Sequence, residues 1–487
     1  MKLIGRKKEI ACLKSMVLSK KAEFVAVYGR RRIGKTYLIQ HCLSKVGVYL
    51  EFTGLKDGKL KVQLANFAES FTNTFYPGVP IATPKSWKAA FNLLTQEIKK
   101  VSSSKKIIIF FDELPWIAAR KSEFLQNLDY FWNTNWRLLP NFKLIVCGSA
   151  ASWMINNLIN AKGGLHNRLT KSILLEPFNL SETGDFLESR KIKLPQKQVL
   201  DLYMVMGGVP YYLEQLDPLQ SIAKNINQLF FKKDGLLYGE FSRLFKSLFD
   251  ASELNMRIIK EIAKHHYGVS CFNLVNSVGK KTGGRFKERL QELEACGFIE
   301  RFLPYGKKKR DHHYRVIDEY MLFYLKWVID IEEGAGLPRG GDYWAKLSKS
   351  PAWFSWAGYA FENICYKHID WILHALGLDK VICSCSYWSQ QAFQEKDGVQ
   401  VDLLIDRDDG ALTLCEIKYS STMFALDKAC AKNLMKKVEV LENSLKEPKQ
   451  VFISMVTTVG VKNNLWVNEL VSNVVCLKDF FVKGIRK

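Results

Sequence analysis

Eight consecutive residues restrict this chain more than any other feature: Gly29-Arg30-Arg31-Arg32-Ile33-Gly34-Lys35-Thr36 fits the pattern G-x-x-x-x-G-K-[ST]. The apolar run Phe24–Tyr28 reads as a buried strand leading into it, and a helix is expected to begin near Lys35. A strand–loop–helix turn of this kind curls backbone N–H groups around phosphate, and the helix N-terminus adds partial positive charge. Lys35 is expected to reach the β- and γ-phosphates of a nucleotide, with the Thr36 hydroxyl at a magnesium position.

A second element strengthens the first. Ile107–Phe111 is another buried strand, and it ends in Asp112 and Glu113. A carboxylate at that point can hold magnesium, and its neighbour can orient or deprotonate an attacking water. Val46–Phe52 and Leu144–Cys147 complete a set of short apolar runs separated by helical stretches, the pattern of a mostly parallel sheet.

These residues carry a resemblance. Leu3-Ile4-Gly5-Arg6 with Glu9 resembles the N-terminal box of AAA+ and related signalling ATPases. Tyr28–Thr36 and Asp112-Glu113-Leu114-Pro115-Trp116 look like the matching stretches of the archaeal-type AAA+ ATPase family, and the resemblance covers roughly residues 1–245. It implies ATP and Mg2+ as ligands and Ser149 as the polar contact near the γ-phosphate. It also implies that the proline of Gly207-Gly208-Val209-Pro210 lies against adenine. Arg168 falls where the family tends to place an arginine, for which an arginine finger acting on a neighbouring subunit and a local salt bridge both stay open.

Length and charge bound the rest. The 487 residues exceed what one core organises, and 71 Lys+Arg against 49 Asp+Glu leave a formal charge of +22. Such an excess favours polyanionic partners through counterion release. The eleven cysteines include no C-x-x-C pair, which argues against a disulfide framework or zinc ribbon and suits a reducing cytosol. The start, Met1 to Glu9, lacks the apolar stretch of a secretory signal, and no apolar run approaches a membrane span, so a cytoplasmic protein without a membrane is expected.

The expected fold is α/β throughout. A parallel-sheet P-loop core at 1–180 is followed by a helical lid at 181–250, a winged helix at 251–330 and a PD-(D/E)XK nuclease-like α/β domain at 345–487. Met256–His265, Cys271–Val278 and Arg285–Cys296 suggest three helices, and Phe298–Phe302 with His313–Val316 suggests a hairpin. Lys280, Lys281, Thr282, Arg285 and Lys287, with the loop Lys307-Lys308-Lys309-Arg310, suit phosphate and groove contacts with DNA, although a hairpin tip commonly carries charge for solubility alone. The Gly-rich stretch Glu333–Gly341 is a candidate linker.

In the last segment, Val399–Asp406 and Ala411–Tyr419 read as a hairpin turning at Asp408-Asp409-Gly410, which brings Asp402 near Glu416. Glu416 and Lys418 share a face with Leu412 and Leu414. Charges on an apolar face are costly to bury unless paired or bound to metal. The D-x(13)-E-x-K pattern resembles the PD-(D/E)XK nuclease core. That resemblance implies magnesium at Asp402 and Glu416, a catalytic Lys418, and phosphodiester cleavage, with Glu362, on a helix expected from Ala357, as a further acid or a solvated side chain. The reading is an ATPase whose nucleotide state governs a nuclease-like domain acting on DNA, with catalytic Lys35, Glu113, Asp402, Glu416 and Lys418; it admits a homo-oligomer. The competing reading is an ATP-gated switch or scaffold with an inactive nuclease-like domain.

Overall fold

The computed structural model describes residues 3–119, 121–160, 165, 167–279, 284–335, 343–390 and 398–485. Met1, Lys2, His166, Lys280, Lys281, Thr282 and the linker residues 336–341 lie outside this set. Two compact units form: residues 1–177 with 291–297, and residues 178–290 with 298–487.

The first unit is built on β1 (Glu23–Tyr28), β2 (Val48–Thr53), β3 (Ile107–Asp112), β4 (Phe142–Gly148) and β5 (Lys171–Leu174), ordered β2-β3-β4-β1-β5. Every pairing is parallel. β3 and β4 are buried along their whole length, as strands covered on both faces must be, and this is why they read as unbroken Ile, Val and Phe runs. One face packs on Phe67, Trp87, Phe91 and Trp136, the other on Leu13, Met16, Leu38 and Ile39. Because β4 lies between β1 and β3, three strand ends open side by side: the loop after β1, Asp112 after β3 and Ser149 after β4. The edge strand β5 is only four residues long, KSIL, too short for an apolar run to announce it.

The second unit opens with helices at Leu180–Ser189, Gln196–Met206, Pro210–Glu214, Ile222–Phe230 and Glu240–Leu248. Asn179 and Glu182 close the first of these with a reciprocal capping box. The segment expected as three helices and a hairpin gives Ser252–Ala263, a single turn at Cys271–Leu274 that widens into a π turn, and Gly284–Ala295. Its sheet has three strands, not two: β6 (Val269–Ser270), β7 (Ile299–Phe302) and β8 (His313–Val316), antiparallel in the order β6-β8-β7.

Further along, the helix carrying Glu362 runs Pro351–Lys367, beginning six residues before Ala357. Ser350 caps it by accepting from the Trp353 N–H, and Pro351 takes the first helical position, where no N–H is needed. β9 (Cys383–Gln390), β10 (Val399–Arg407), β11 (Ala411–Lys418), β12 (Gln450–Thr457) and β13 (Val471–Cys476) then form a mixed sheet ordered β13-β12-β11-β10-β9. β9, β10 and β11 pair antiparallel, and β11, β12 and β13 parallel. The β9–β10 register slips between Val401 and Leu404, so a bulge falls on Asp402-Leu403. Bulges re-aim side chains, and here the affected residue is a carboxylate.

Candidate functional sites

In the first unit the loop Gly29–Gly34 turns tightly between β1 and the helix Lys35–Leu43. Gly29 has φ +142°, and a Cβ there would stand 2.2 Å from the Leu175 carbonyl oxygen, so no other residue fits. Gly34 and Arg32 also take left-handed backbone, with φ 85° and 73°. The loop is braced from behind by the buried Arg6, which donates to the carbonyls of Ile33, at 3.2 Å, and of Glu176. Arg30, Ile33, Lys35 and Ser149 are buried, and Arg31 and Arg32 are half-buried.

Lys35 curls back so that its Nζ donates to the carbonyls of Gly29 at 3.0 Å and Arg30 at 2.8 Å. The Thr36 hydroxyl donates to Asp112 Oδ2 at 2.7 Å. Glu113, with φ 49°, turns its Oε2 toward the next strand, where it accepts from the Ser149 hydroxyl at 2.9 Å and the Ser149 N–H at 3.2 Å. The structure therefore brings together every site residue expected from Gly29 to Ser149. A hydroxyl and a carboxylate meeting at the end of a phosphate loop are the hard oxygen donors that magnesium takes, so the residues fit that ion. Pro210 opens a short helix in the second unit. Arg168 lies 4.0 Å from Asp129, a loose local ion pair.

The second unit carries a separate cluster. Asp402 and Glu416 are both buried on adjacent strands. Asp402 Oδ2 accepts from the Ile417 N–H at 3.0 Å. Glu416 Oε1 accepts from Lys418 at 2.8 Å and its Oε2 from Lys437 at 2.6 Å. Lys437 is absent from the sequence-based reading, yet a signal for it exists. The helix Lys428–Ser444 buries Ala431, Leu434, Lys437 and Leu441, which places a lysine on its apolar stripe.

Charges set so close displace one another's titration. Burial, then Glu416, pushes Asp402 up to about 6. Although burial opposes it, Glu416 stays below the usual carboxylate range because Lys418 and Lys437 face it. Glu362 is no solvated helix glutamate: it lines the same crevice as Asp402, and burial with the Asp402 charge pushes it up to about 8. Among the described residues no three His, Cys, Asp or Glu side chains form a metal-ligating group. Asp402 and Glu416 come together across β10 and β11 as a pair of acids.

The crevice is walled by His266, Tyr267, Phe302 and Arg315. Arg315 pairs with Glu300 at 2.7 Å and lies 3.8 Å over the Tyr366 ring, while Tyr366 donates its hydroxyl to the Asp402 carbonyl. Tyr267 stacks on Tyr387 and His266 on Tyr359. On another side, the Tyr419 hydroxyl, next to Lys418, accepts from Lys197 at 2.6 Å and donates to Asp201 at 2.7 Å, both on the helix Gln196–Met206. None of these aromatic or cationic partners was legible as a site residue, since each is ordinary in its local context.

The phosphate-type loop, its lysine and the two strand-end acids define a P-loop nucleotide hydrolase. Residues 3–216 match the model of an ATPase domain predominantly from Archaea, and this part of the chain is an ATPase domain. An uncharacterized protein of Methanocaldococcus jannaschii is 25 % identical over 340 residues, spanning 68 % of this chain and 71 % of its own. The Walker-type ATPase of Pyrococcus abyssi matches 66 % of this chain with 96 % of its own at 16 % identity and a TM-score of 0.48. The ORC2 protein of Aeropyrum pernix matches 69 % of this chain with 96 % of its own at 13 % identity and a TM-score of 0.44. Among the described residues no helix is long and apolar enough to cross a membrane.

Proposed function

We propose that this chain couples its ATPase site to a metal-assisted phosphodiester site in the second unit, acting on DNA. In the ATPase site, the loop N–H groups and Lys35 hold the phosphates of ATP, so the Lys35 ammonium exchanges its carbonyl partners for phosphate oxygens. Thr36 and Asp112 hold Mg2+, which when bound neutralises charge on the phosphate oxygens. Glu113 orients water and accepts its proton, and Ser149 holds that carboxylate in place. Pro210 contributes to the adenine side of the pocket.

The second site is read as a PD-(D/E)XK-like centre behind a winged-helix segment. The single observation that carries this reading is the convergence of Asp402, Glu416 and Lys418 on two adjacent strands, with a bulge at Asp402. Asp402 and Glu416 supply oxygen ligands for Mg2+, an ion that stabilises charge on a phosphodiester undergoing attack. Lys418 holds the Glu416 carboxylate and would help position or activate the attacking water. The net charge of +22 and the exposed Lys307-Lys308-Lys309-Arg310 tip, with exposed Arg285 and Lys287, supply the cations that a DNA backbone needs. Coupling runs along the helix Gln196–Met206. One end leads into Gly207-Gly208-Val209-Pro210, and the other grips Tyr419 beside Lys418.

A second reading, an ATP-gated switch that does not cleave, is favoured by one feature. The crevice beside Asp402 is narrow and lined by Arg315 and Tyr267. Cleavage of plasmid and single-stranded DNA with Mg2+ or Mn2+, with and without ATP, separates the two. The nuclease reading requires cleavage by the wild type that Asp402→Ala abolishes while ATP hydrolysis persists. Intact ATP hydrolysis with no cleavage under any of these conditions leaves the switch.

A further inference from the structure

We propose that Lys437 fills the second cation position of the Asp402–Glu416 site, so that this site takes one divalent ion and not two. The inference rests on reading the site as a metal-assisted centre, and it adds the ion count and a role for a lysine outside the D-x(13)-E-x-K pattern.

The helix Lys428–Ser444 places Lys437 on its apolar stripe between Leu434 and Leu441, and the lysine is only 8 % exposed. An ammonium in such a place is strongly unfavourable unless a charge compensates it. Its compensation is Glu416 Oε2, at 2.6 Å. The other oxygen of the same carboxylate accepts from Lys418 at 2.8 Å, whose side chain is more exposed, 36 % against 9 %. Glu416 is therefore approached by a cation on each oxygen, one reachable from solvent and one packed inside.

A two-ion phosphodiester site sets its ions about 3.5–4 Å apart and shares carboxylates between them. Here the carboxylate placed to be shared has its inner oxygen taken by a buried ammonium. Magnesium also demands near-octahedral oxygen coordination, and a second ion needs further acids. The remaining nearby acid, Glu362, completes no three-ligand group with Asp402 and Glu416 among the described residues. Charge weighs in the same direction: Asp402 and Glu416 carry two negatives against two positives on Lys418 and Lys437, so each divalent ion adds uncompensated positive charge and a second is opposed more than the first. One divalent ion enters by displacing the exposed Lys418 from Glu416, which places that ammonium beside the ion. Lys437 stays, a fixed positive charge that a second metal would otherwise supply.

Mn2+ binding to the nucleotide-free full-length chain, followed by electron paramagnetic resonance and calorimetry, tests the inference without any cleavage assay. Asp402→Asn identifies the ions that belong to this site. The wild type is expected to bind one more Mn2+ than Asp402→Asn. Lys437→Met keeps that single ion but binds it about tenfold tighter, because a like charge a few ångströms away has gone. Lys437→Glu, which offers a ligand at the same position, takes two. Circular dichroism checks that each variant folds, and the wild-type count decides the matter even if both fail to. Two ions in the wild type, or weaker binding by folded Lys437→Met, overturn the inference while leaving a metal centre in place. No ion lost between wild type and Asp402→Asn overturns the metal reading and this inference together.

Discussion

The two charged sites of this chain are wired in opposite ways. In the first unit the ionisable groups lean on backbone and hydroxyl groups: Lys35 on two carbonyls, Asp112 on Thr36, Glu113 on Ser149. In the second unit they lean on one another, with Glu416 held between Lys418 and Lys437 and Asp402 pressed beside them. Neutral partners are given up at modest cost, about 1 kcal/mol each, so the first site can trade them readily for phosphate. Charged partners held in a buried set resist exchange, since removing one leaves another uncompensated. The first site is organised for turnover of a ligand. The second is organised to hold a fixed charge pattern until a competing cation arrives.

That contrast can be broken most sharply at Lys35. Lys35→Ala removes the charge that meets the phosphates, and ATP hydrolysis should fall by at least about 100-fold in a steady-state phosphate-release assay. Glu113→Gln keeps the Ser149 contacts but not the base, so hydrolysis should drop by about 10²–10³-fold while nucleotide affinity, read by calorimetry, stays near wild type. If Glu113→Gln also lost binding, the residue would be holding the loop and not the water.

The mutual wiring of the second site makes a pH-dependent prediction. Glu362 is pushed up to about 8 from an ordinary 4.5, so the folded chain holds a proton there that the unfolded chain releases. Stability contributed by this group is therefore full below pH 4.5 and declines as pH rises toward 8. Glu362→Gln removes the decline. In denaturant melts the variant should match wild type near pH 4 and exceed it by on the order of a few kcal/mol at pH 9. An equal difference at both pH values would point to packing as the cause. The smallest effect is expected at Arg6→Ala, which strips the brace from behind the phosphate loop. It should cost about 2 kcal/mol in the thermal transition of the first unit and raise the KM for ATP a few-fold.

The same difference explains what the sequence could reveal. The nucleotide loop is a contiguous string because its chemistry is mostly backbone, so Gly29 to Thr36 could be read directly, and β3 with Asp112-Glu113 followed from an apolar run that ends in acids. β5 escaped because four alternating residues carry little signal. At the second site Asp402, Glu416 and Lys418 were legible from one hairpin. Lys437 arrives from a helix nineteen or more residues further on, and Tyr366 and Arg315 from other elements still, and only tertiary packing brings them to the carboxylates. The helix bearing Glu362 began earlier than expected because its cap, Ser350-Pro351, lies upstream of the apolar stripe that suggested it.

On the proposed reading one chain holds two separable chemical sites. ATP hydrolysis and Mn2+-dependent DNA cleavage measured side by side in wild type, Lys35→Ala and Asp402→Ala test it most directly. Lys35→Ala should lose hydrolysis and show cleavage altered in its response to ATP, while Asp402→Ala should lose cleavage and keep hydrolysis within about twofold of wild type. If Asp402→Ala cleaves DNA as well as the wild type does, the second site is not where that chemistry occurs.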